Sequence, residues 1–180
     1  AAVTVQGDHD AAIELDGANE LKSGSHNAGL EKNGHESSGK LTIKDDNDTK
    51  GSLTAEGGKD GAGIGGGAFS SPDKIGNGNV VIKDNAKIDN VQGGAYGAGI
   101  GGGIYGLSNV TIEGNTKVNA TGGAGGAAIG GGAGAENNSD NNGNQITIKS
   151  NENGSPTINA VGGGTDEGKK IVIGGAGIGA

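Results

Sequence analysis

The chain has 180 residues, enough for one domain of ordinary size, and 43 of them are glycine. A formal charge of −8 and a pI near 4.7 argue against a nucleic-acid partner, whose phosphates need a basic surface. No run of about 18 apolar residues is present to insert in a membrane, and the absence of Cys removes both a disulfide framework and a thiolate metal site.

Ile, Val, Leu and Phe together make up fewer than one residue in five, a content that would normally read as disorder. Their arrangement along the chain overrules that reading. Ala1-Ala2 opens the chain without a signal-peptide pattern; these residues fit either the remnant of signal cleavage or the edge of an excised domain.

In chain order, Val3-Thr4-Val5 and Ala12-Ile13-Glu14-Leu15 alternate as short strands do, and Asn27-Ala28-Gly29-Leu30 follows. Residues 1–40 are read as a diverged first coil, and residues 41–180 as repeats. The repeats have a first strand at Leu41-Thr42-Ile43-Lys44, Val80-Val81-Ile82-Lys83, Val110-Thr111-Ile112-Glu113 and Ile146-Thr147-Ile148-Lys149. A second strand follows at Leu53-Thr54-Ala55, Ile88-Asp89-Asn90, Val118-Asn119-Ala120 and Ile158-Asn159-Ala160, each closed by a glycine pair. The third side is Gly61-Ala62-Gly63-Ile64-Gly65-Gly66-Gly67, repeated at Gly97-Ala98-Gly99-Ile100-Gly101-Gly102-Gly103 and Gly126-Ala127-Ala128-Ile129-Gly130-Gly131-Gly132, then shortened at Gly175-Ala176-Gly177-Ile178. The spacing is uneven, with 36 residues from Ile64 to Ile100 and 29 from Ile100 to Ile129, so the extra length belongs to corners such as 69–79 and 137–144.

No segment has a helical period, and glycine at this density opposes helix by roughly 1 kcal/mol per residue against Ala. A flexible linker has no reason to place Ile at matching points of four segments. The pattern therefore predicts an all-β fold in a single domain over 1–180: a parallel β-solenoid (β-helix) of about five coils, right-handed by the usual chirality of such connections. Leu30, Ile64, Ile100, Ile129 and Ile178 form its core ladder. Alternation points Leu41, Ile43, Val80, Ile82, Val110, Ile112, Ile146 and Ile148 inward and Thr42, Val81, Thr111 and Thr147 outward. Glycine serves corners that need positive φ. Gly63, Gly65, Gly99, Gly101 and Gly130 are expected to face outward, as a strip of bare backbone that a sheet or an extended polysaccharide could approach.

The segments Leu15-Asp16-Gly17-Ala18-Asn19-Glu20-Leu21, Asn27-Ala28-Gly29-Leu30-Glu31-Lys32 and Gly51-Ser52-Leu53-Thr54-Ala55-Glu56-Gly57-Gly58, leading into Gly61–Gly67, resemble the glycine-rich repeat regions of secreted and wall-attached bacterial proteins. The resemblance covers roughly residues 11–180. More distantly the chain is similar to parallel β-helix domains described as carbohydrate-binding. The resemblance implies an exported, non-catalytic module at the bacterial cell surface and transfers no site residues.

Pectin lyases of the β-helix class need an Arg base, and all thirteen basic residues here are Lys. A glycoside hydrolase needs paired carboxylates on one groove, whereas the tightest acidic cluster, Asp45-Asp46-Asn47-Asp48, lies in a corner. That cluster reads as a solvated turn or as a calcium site through Asp45, Asp46 and Asp48, although it lacks EF-hand spacing. His26 and His35 lie near Glu31 and Glu36 and read as loop residues or as a metal pair. The glycine runs lack the Gly-Lys-Ser/Thr and following helix of a phosphate loop. The outward threonine column has charged neighbours, which spoils it as an ice-binding face. Tyr96 and Tyr105 flank the Ile100 segment, either as corner packing or as a small glycan platform.

No capping helix is apparent at either end. Val3 and Val5 at one end and Ile171 and Ile173 at the other are strand-like and suited to pairing with a second copy head to tail. The function expected from the sequence is a non-catalytic extracellular structural or adhesive solenoid, a filament subunit stacking through its terminal coils, partnered by itself or other cell-surface proteins. The alternative is a carbohydrate-binding module of a secreted or wall-attached protein.

Overall fold

The computed structural model describes residues 1–32, 39–68, 78–135, 144–164 and 174–179. Ile171 and Ile173 lie outside the described residues, as does most of the two long corners. Among the described residues there is no helix, and sixteen strands succeed one another in a three-step order. The first coil is β1 (Val3–Thr4), β2 (Ala11–Glu14) and β3 (Gly17–Lys22). The second is β4 (Leu30–Glu31), β5 (Leu41–Asp45) and β6 (Gly51–Glu56), and the third β7 (Ile64–Gly65), β8 (Gly78–Asp84) and β9 (Lys87–Gln92). The fourth is β10 (Ile100–Gly101), β11 (Ser108–Glu113) and β12 (Lys117–Thr121), and the fifth β13 (Ile129–Gly130), β14 (Gln145–Lys149) and β15 (Thr157–Val161); β16 (Ile178–Gly179) begins another turn. Every third strand pairs in parallel, giving sheets β1-β4-β7-β10-β13-β16, β2-β5-β8-β11-β14 and β3-β6-β9-β12-β15. The fold is thus a three-sided parallel β-solenoid of five coils.

The aliphatic ladder is in register. Val3, Leu30, Ile64, Ile100, Ile129 and Ile178 are successive partners down one sheet. Leu30, Ile64, Ile100 and Ile129 are fully buried, and each contributes on the order of 1.5–3 kcal/mol. Val3 heads this ladder, a place the sequence reading did not give it. A second ladder, Ile13-Ile43-Ile82-Ile112-Ile148, lines the next sheet. Its outward neighbours Thr42, Val81 and Thr111 are half-buried, as alternation requires. Ile148 also occupies an inward column yet is 41% exposed, because no described coil covers it.

Two expectations about local geometry are corrected. The first concerns the second strand of the third coil. Aligning Ile88-Asp89-Asn90 with Leu53-Thr54-Ala55 would send Asn90 into the core. Instead the register shifts: Ile88 pairs with Leu53 and Val91 with Ala55, leaving Asp89 and Asn90 to share the outer face as a β-bulge. Val91 is buried and Asn90 exposed, and the Asn119 amide donates to the Asp89 carbonyl at 3.1 Å across the irregularity. Burying Val91 rather than an amide outweighs the loss of ladder regularity.

The second concerns the glycines. Gly63, Gly65, Gly99, Gly101 and Gly130 are buried, so no outward strip of bare backbone exists there. The glycine-rich side is not a flat strand. The Ala62 N–H donates to the Gly66 carbonyl (2.9 Å), Ala98 to Gly102 (2.9 Å) and Ala127 to Gly131 (3.0 Å), so each segment is a tight loop with its Ile at the tip, in the core. Gly65, Gly101 and Gly130 have φ of +130°, +134° and +147°, values that L side chains rarely adopt. A Cβ on any of them would fall on the carbonyl oxygen of the following coil. Within the loop, three N–H groups point the same way: Gly63 to Ala98 (3.1 Å), Ile64 to Gly99 (2.9 Å) and Gly66 to Gly101 (2.8 Å). The next coil repeats this with Gly99 to Ala127, Ile100 to Ala128 and Gly102 to Gly130.

A further column, Gly58-Gly94-Gly123-Gly163, serves close approach alone. A Cβ on each would coincide with the carbonyl oxygen of Gly24, Gly58, Gly94 and Gly123 respectively. We predict that Gly94→Ala and Ile100→Ala each lower stability substantially, Ile100→Ala by about 2–5 kcal/mol. Gly24→Ala, with open space around its Cβ, should stay within about 0.5 kcal/mol of the parent. Chemical denaturation of the three variants measures this, and equal losses for Gly24 and Gly94 would contradict the stacking argument.

Candidate functional site

Tyr96 and Tyr105 are brought to one corner. The Ala133 N–H donates to the Tyr96 carbonyl at 2.8 Å, and the Tyr105 N–H donates to the Ala133 carbonyl at 2.9 Å. The two loops that carry them therefore meet across the next coil, because the Ile100 segment between them doubles back on itself. Their rings engage different neighbours. The Lys59 ammonium sits 5.6 Å from the centroid of the Tyr96 ring, a cation–π arrangement. Tyr105 is 60% exposed, and its ring lies where a Cβ on Gly134 would be.

The backbone at Tyr105 is unusual. Its φ is +60°, a conformation costly for a bulky residue. Gly134, the corresponding corner residue of the following coil, has φ +72°. One coil thus places an exposed aromatic side chain where its neighbour uses glycine.

The acidic corner is dispersed by the fold. Asp45 ends β5 pointing inward, is buried, and accepts the Gly51 N–H through Oδ2 at 3.1 Å; its Oδ1 has no hydrogen-bond partner. Asp46 points outward and pairs with the Lys44 ammonium at 2.7 Å. Asp48 is exposed. The three carboxylates are not brought together, and among the described residues no group of three or more His, Cys, Asp or Glu side chains is arranged to hold a metal ion. Of the two readings of this cluster, a solvated turn or a calcium site, the strand period works against the second, because it alternates Asp45 and Asp46 across the sheet.

The outer faces carry charge columns assembled from residues a full coil apart in sequence. Glu14, Lys44 and Lys83 are successive partners, as are Glu113 and Lys149 one coil apart. Lys44 binds Glu14 at 3.0 Å as well as Asp46, and Lys149 binds Glu113 at 3.0 Å. Asp46, then Glu14, raise the Lys44 ammonium above its ordinary value, and Lys44 first of all holds the Asp46 carboxyl below its own. Hydrogen bonds from Lys87 and then Ser52 likewise depress Asp89. His26 meets Asp60 of the next coil, Nδ1 to Oδ2 at 2.6 Å, a pairing hidden in the sequence because 34 residues separate them. His35 lies outside the described residues.

At the chain ends, Val3 is 40% and Ile178 48% exposed, while Val5 packs against the core. No protein-family model, curated protein or solved structure matches the chain.

The depressed Asp89 carboxyl favours the folded state above the ordinary carboxylate range, and this contribution is lost as pH falls through its folded value. The side chain is 38% exposed, so screening holds the effect to about 0.5 kcal/mol or less. Asp89→Asn should therefore flatten the acid limb of a thermal-stability profile slightly while leaving its alkaline limb alone. A variant profile steeper than the parent's in acid would contradict the assignment.

Proposed function

We propose that the chain is a non-catalytic structural solenoid of an extracellular or bacterial cell-surface protein, an adhesive rod or filament subunit that lengthens by end-to-end stacking of coils. The observation that carries this reading is the unbroken parallel register of the three sheets, which gives each coil the same pairing edge toward its neighbour. Every internal coil seals its aliphatic ladders against the next, whereas Ile148 in β14 and Ile178 in β16, the last described strands of their sheets, are 41% and 48% exposed. Unpaired parallel strands at a sheet edge are templates for further pairing. A second copy pairing its β1 with β16 would set Val3 against Ile178 and continue that aliphatic ladder. The resemblance to glycine-rich surface repeats supports the exported location.

Light scattering and electron microscopy across a concentration series test the proposal. Linear assemblies are expected, shortened by Ile148→Lys with Ile178→Lys, both at exposed positions. A monomer at every concentration, or assemblies indifferent to those changes, would count against it.

A carbohydrate-binding role is favoured by one observation: the exposed Tyr105 ring held at positive φ. Residues kept in costly conformations are candidates for function. Replacing Tyr105 by Gly should relieve backbone strain of about 1 kcal/mol and leave the fold at least nearly as stable. On this reading glycan binding falls with that substitution and with Tyr96→Ala plus Tyr105→Ala. Glycan-array binding that survives both would remove the tyrosines from consideration.

A further inference from the structure

We infer a second binding site, for a linear anionic polysaccharide, at the corner between the sheet of β5, β8 and β11 and the sheet of β6, β9 and β12. A groove of about 260 Å³ there is lined by Asp45, Lys50, Gly51, Asn85, Lys87, Asn115 and Lys117. Its residues come from three successive coils, so it runs along the solenoid axis. Lys87 and Lys117 are direct partners in adjacent parallel strands, which sets their backbones about 4.8 Å apart. Like charges directly opposite one another on a sheet destabilise it. Elsewhere the fold manages this problem. Lys44 and Lys83 are also partners, but Lys44 is neutralised by Glu14 and Asp46, and Lys83 lies 3.3 Å from Asp84. At the groove only Lys87 has a counter-charge, Asp89 at 2.7 Å. Lys50 and Lys117 have no acidic partner among the described residues, and both are exposed.

Three lysines and one carboxylate give the lining a formal charge of +2 on a chain of formal charge −8. Asp45 lies beneath the groove, tied through Oδ2 to the Gly51 amide, so the ammonium groups present the accessible charge. The amides form a short ladder: Asn115 donates to the Asn85 side-chain oxygen at 3.2 Å, and Asn85 donates to the Asp45 carbonyl at 3.2 Å. That ladder ends on the Asn115 side-chain oxygen, an acceptor suited to a hydroxyl. The lysines ask for anions and the amide for a hydroxyl, and a uronic-acid chain supplies both in a repeating line. The overall negative charge disfavours a denser polyanion such as polyphosphate or nucleic acid, which carries charge at close intervals and would meet the acidic faces beyond the groove. This site is independent of the stacking ends and of the tyrosine corner.

Titration calorimetry of the whole chain with homogalacturonan oligosaccharides tests the inference. Binding is expected that weakens as salt is raised. Lys87→Gln with Lys117→Gln should weaken it about tenfold, and adding Lys50→Gln should weaken it further. Lys149→Gln, a substitution on another face, should leave it unchanged. All four lysines are exposed, so the variants should fold, and a parent-like thermal transition checks that they do. The inference is overturned if the acidic oligosaccharide does not bind, or if its methyl-esterified, uncharged form binds equally well. It is also overturned if polyphosphate binds in preference, or if the triple variant retains parent affinity.

Discussion

The closeness with which one coil's backbone lies on the next governs this molecule. At the column of Gly58, Gly94, Gly123 and Gly163 the carbonyl oxygen of the preceding coil occupies the place of a side chain. At Gly65, Gly101 and Gly130 the following coil's carbonyl does so from the other direction. Glycine abundance, which in a loose chain would mean disorder, here permits parallel strands to hold their spacing around sharp bends. The aliphatic ladders can be thin because each Ile needs only its neighbours above and below to be buried. A small apolar inventory therefore suffices for a fold with little interior volume per layer.

Much of this was legible beforehand because repetition multiplies the signal. Ile64 and Ile100 sit in identical heptads and Ile129 in one that differs only at Ala128, and one column accommodates all three. Alternation assigned Leu41, Ile43, Val80, Ile82, Val110 and Ile112 to the interior for the same reason. What escaped notice was whatever a single coil does alone. The strand Gly17–Lys22 has little apolar content, and its Asn19 stands in the Leu53 column, so no pattern marked it. The extra residue at Asp89 and Asn90 is visible only once Val91 is known to be buried. The glycine segments misled for a different reason. Their spacing suggested a flat strand, but the bond from each Ala N–H to the carbonyl four residues on, together with positive φ, folds them inward.

The candidate sites were less legible than the fold, because a solenoid assembles its surfaces across coils. His26 finds Asp60, Lys44 finds Glu14, and Lys87 lies beside Lys117, each through partners a full turn apart in sequence. Local clusters are a poor guide in such a structure. Asp45, Asp46 and Asp48 are adjacent in the chain and divergent in space, whereas the lysines of the corner groove are distant in the chain and neighbours in space. Tyr96 and Tyr105 lie between these cases, joined through Ala133 by backbone but not through their rings.

The one-way hydrogen bonds of the glycine-rich side have an electrical consequence. In ordinary sheets the strand dipoles nearly cancel. Here Gly63, Ile64 and Gly66 direct N–H toward the following coil, and the carbonyls of the same peptide units, on Ala62, Gly63 and Gly65, accept from the preceding one. The peptide dipoles therefore add along the axis as they do in a helix. This side of the stack is positive toward its later coils and negative toward its earlier ones, which gives it an intrinsic direction.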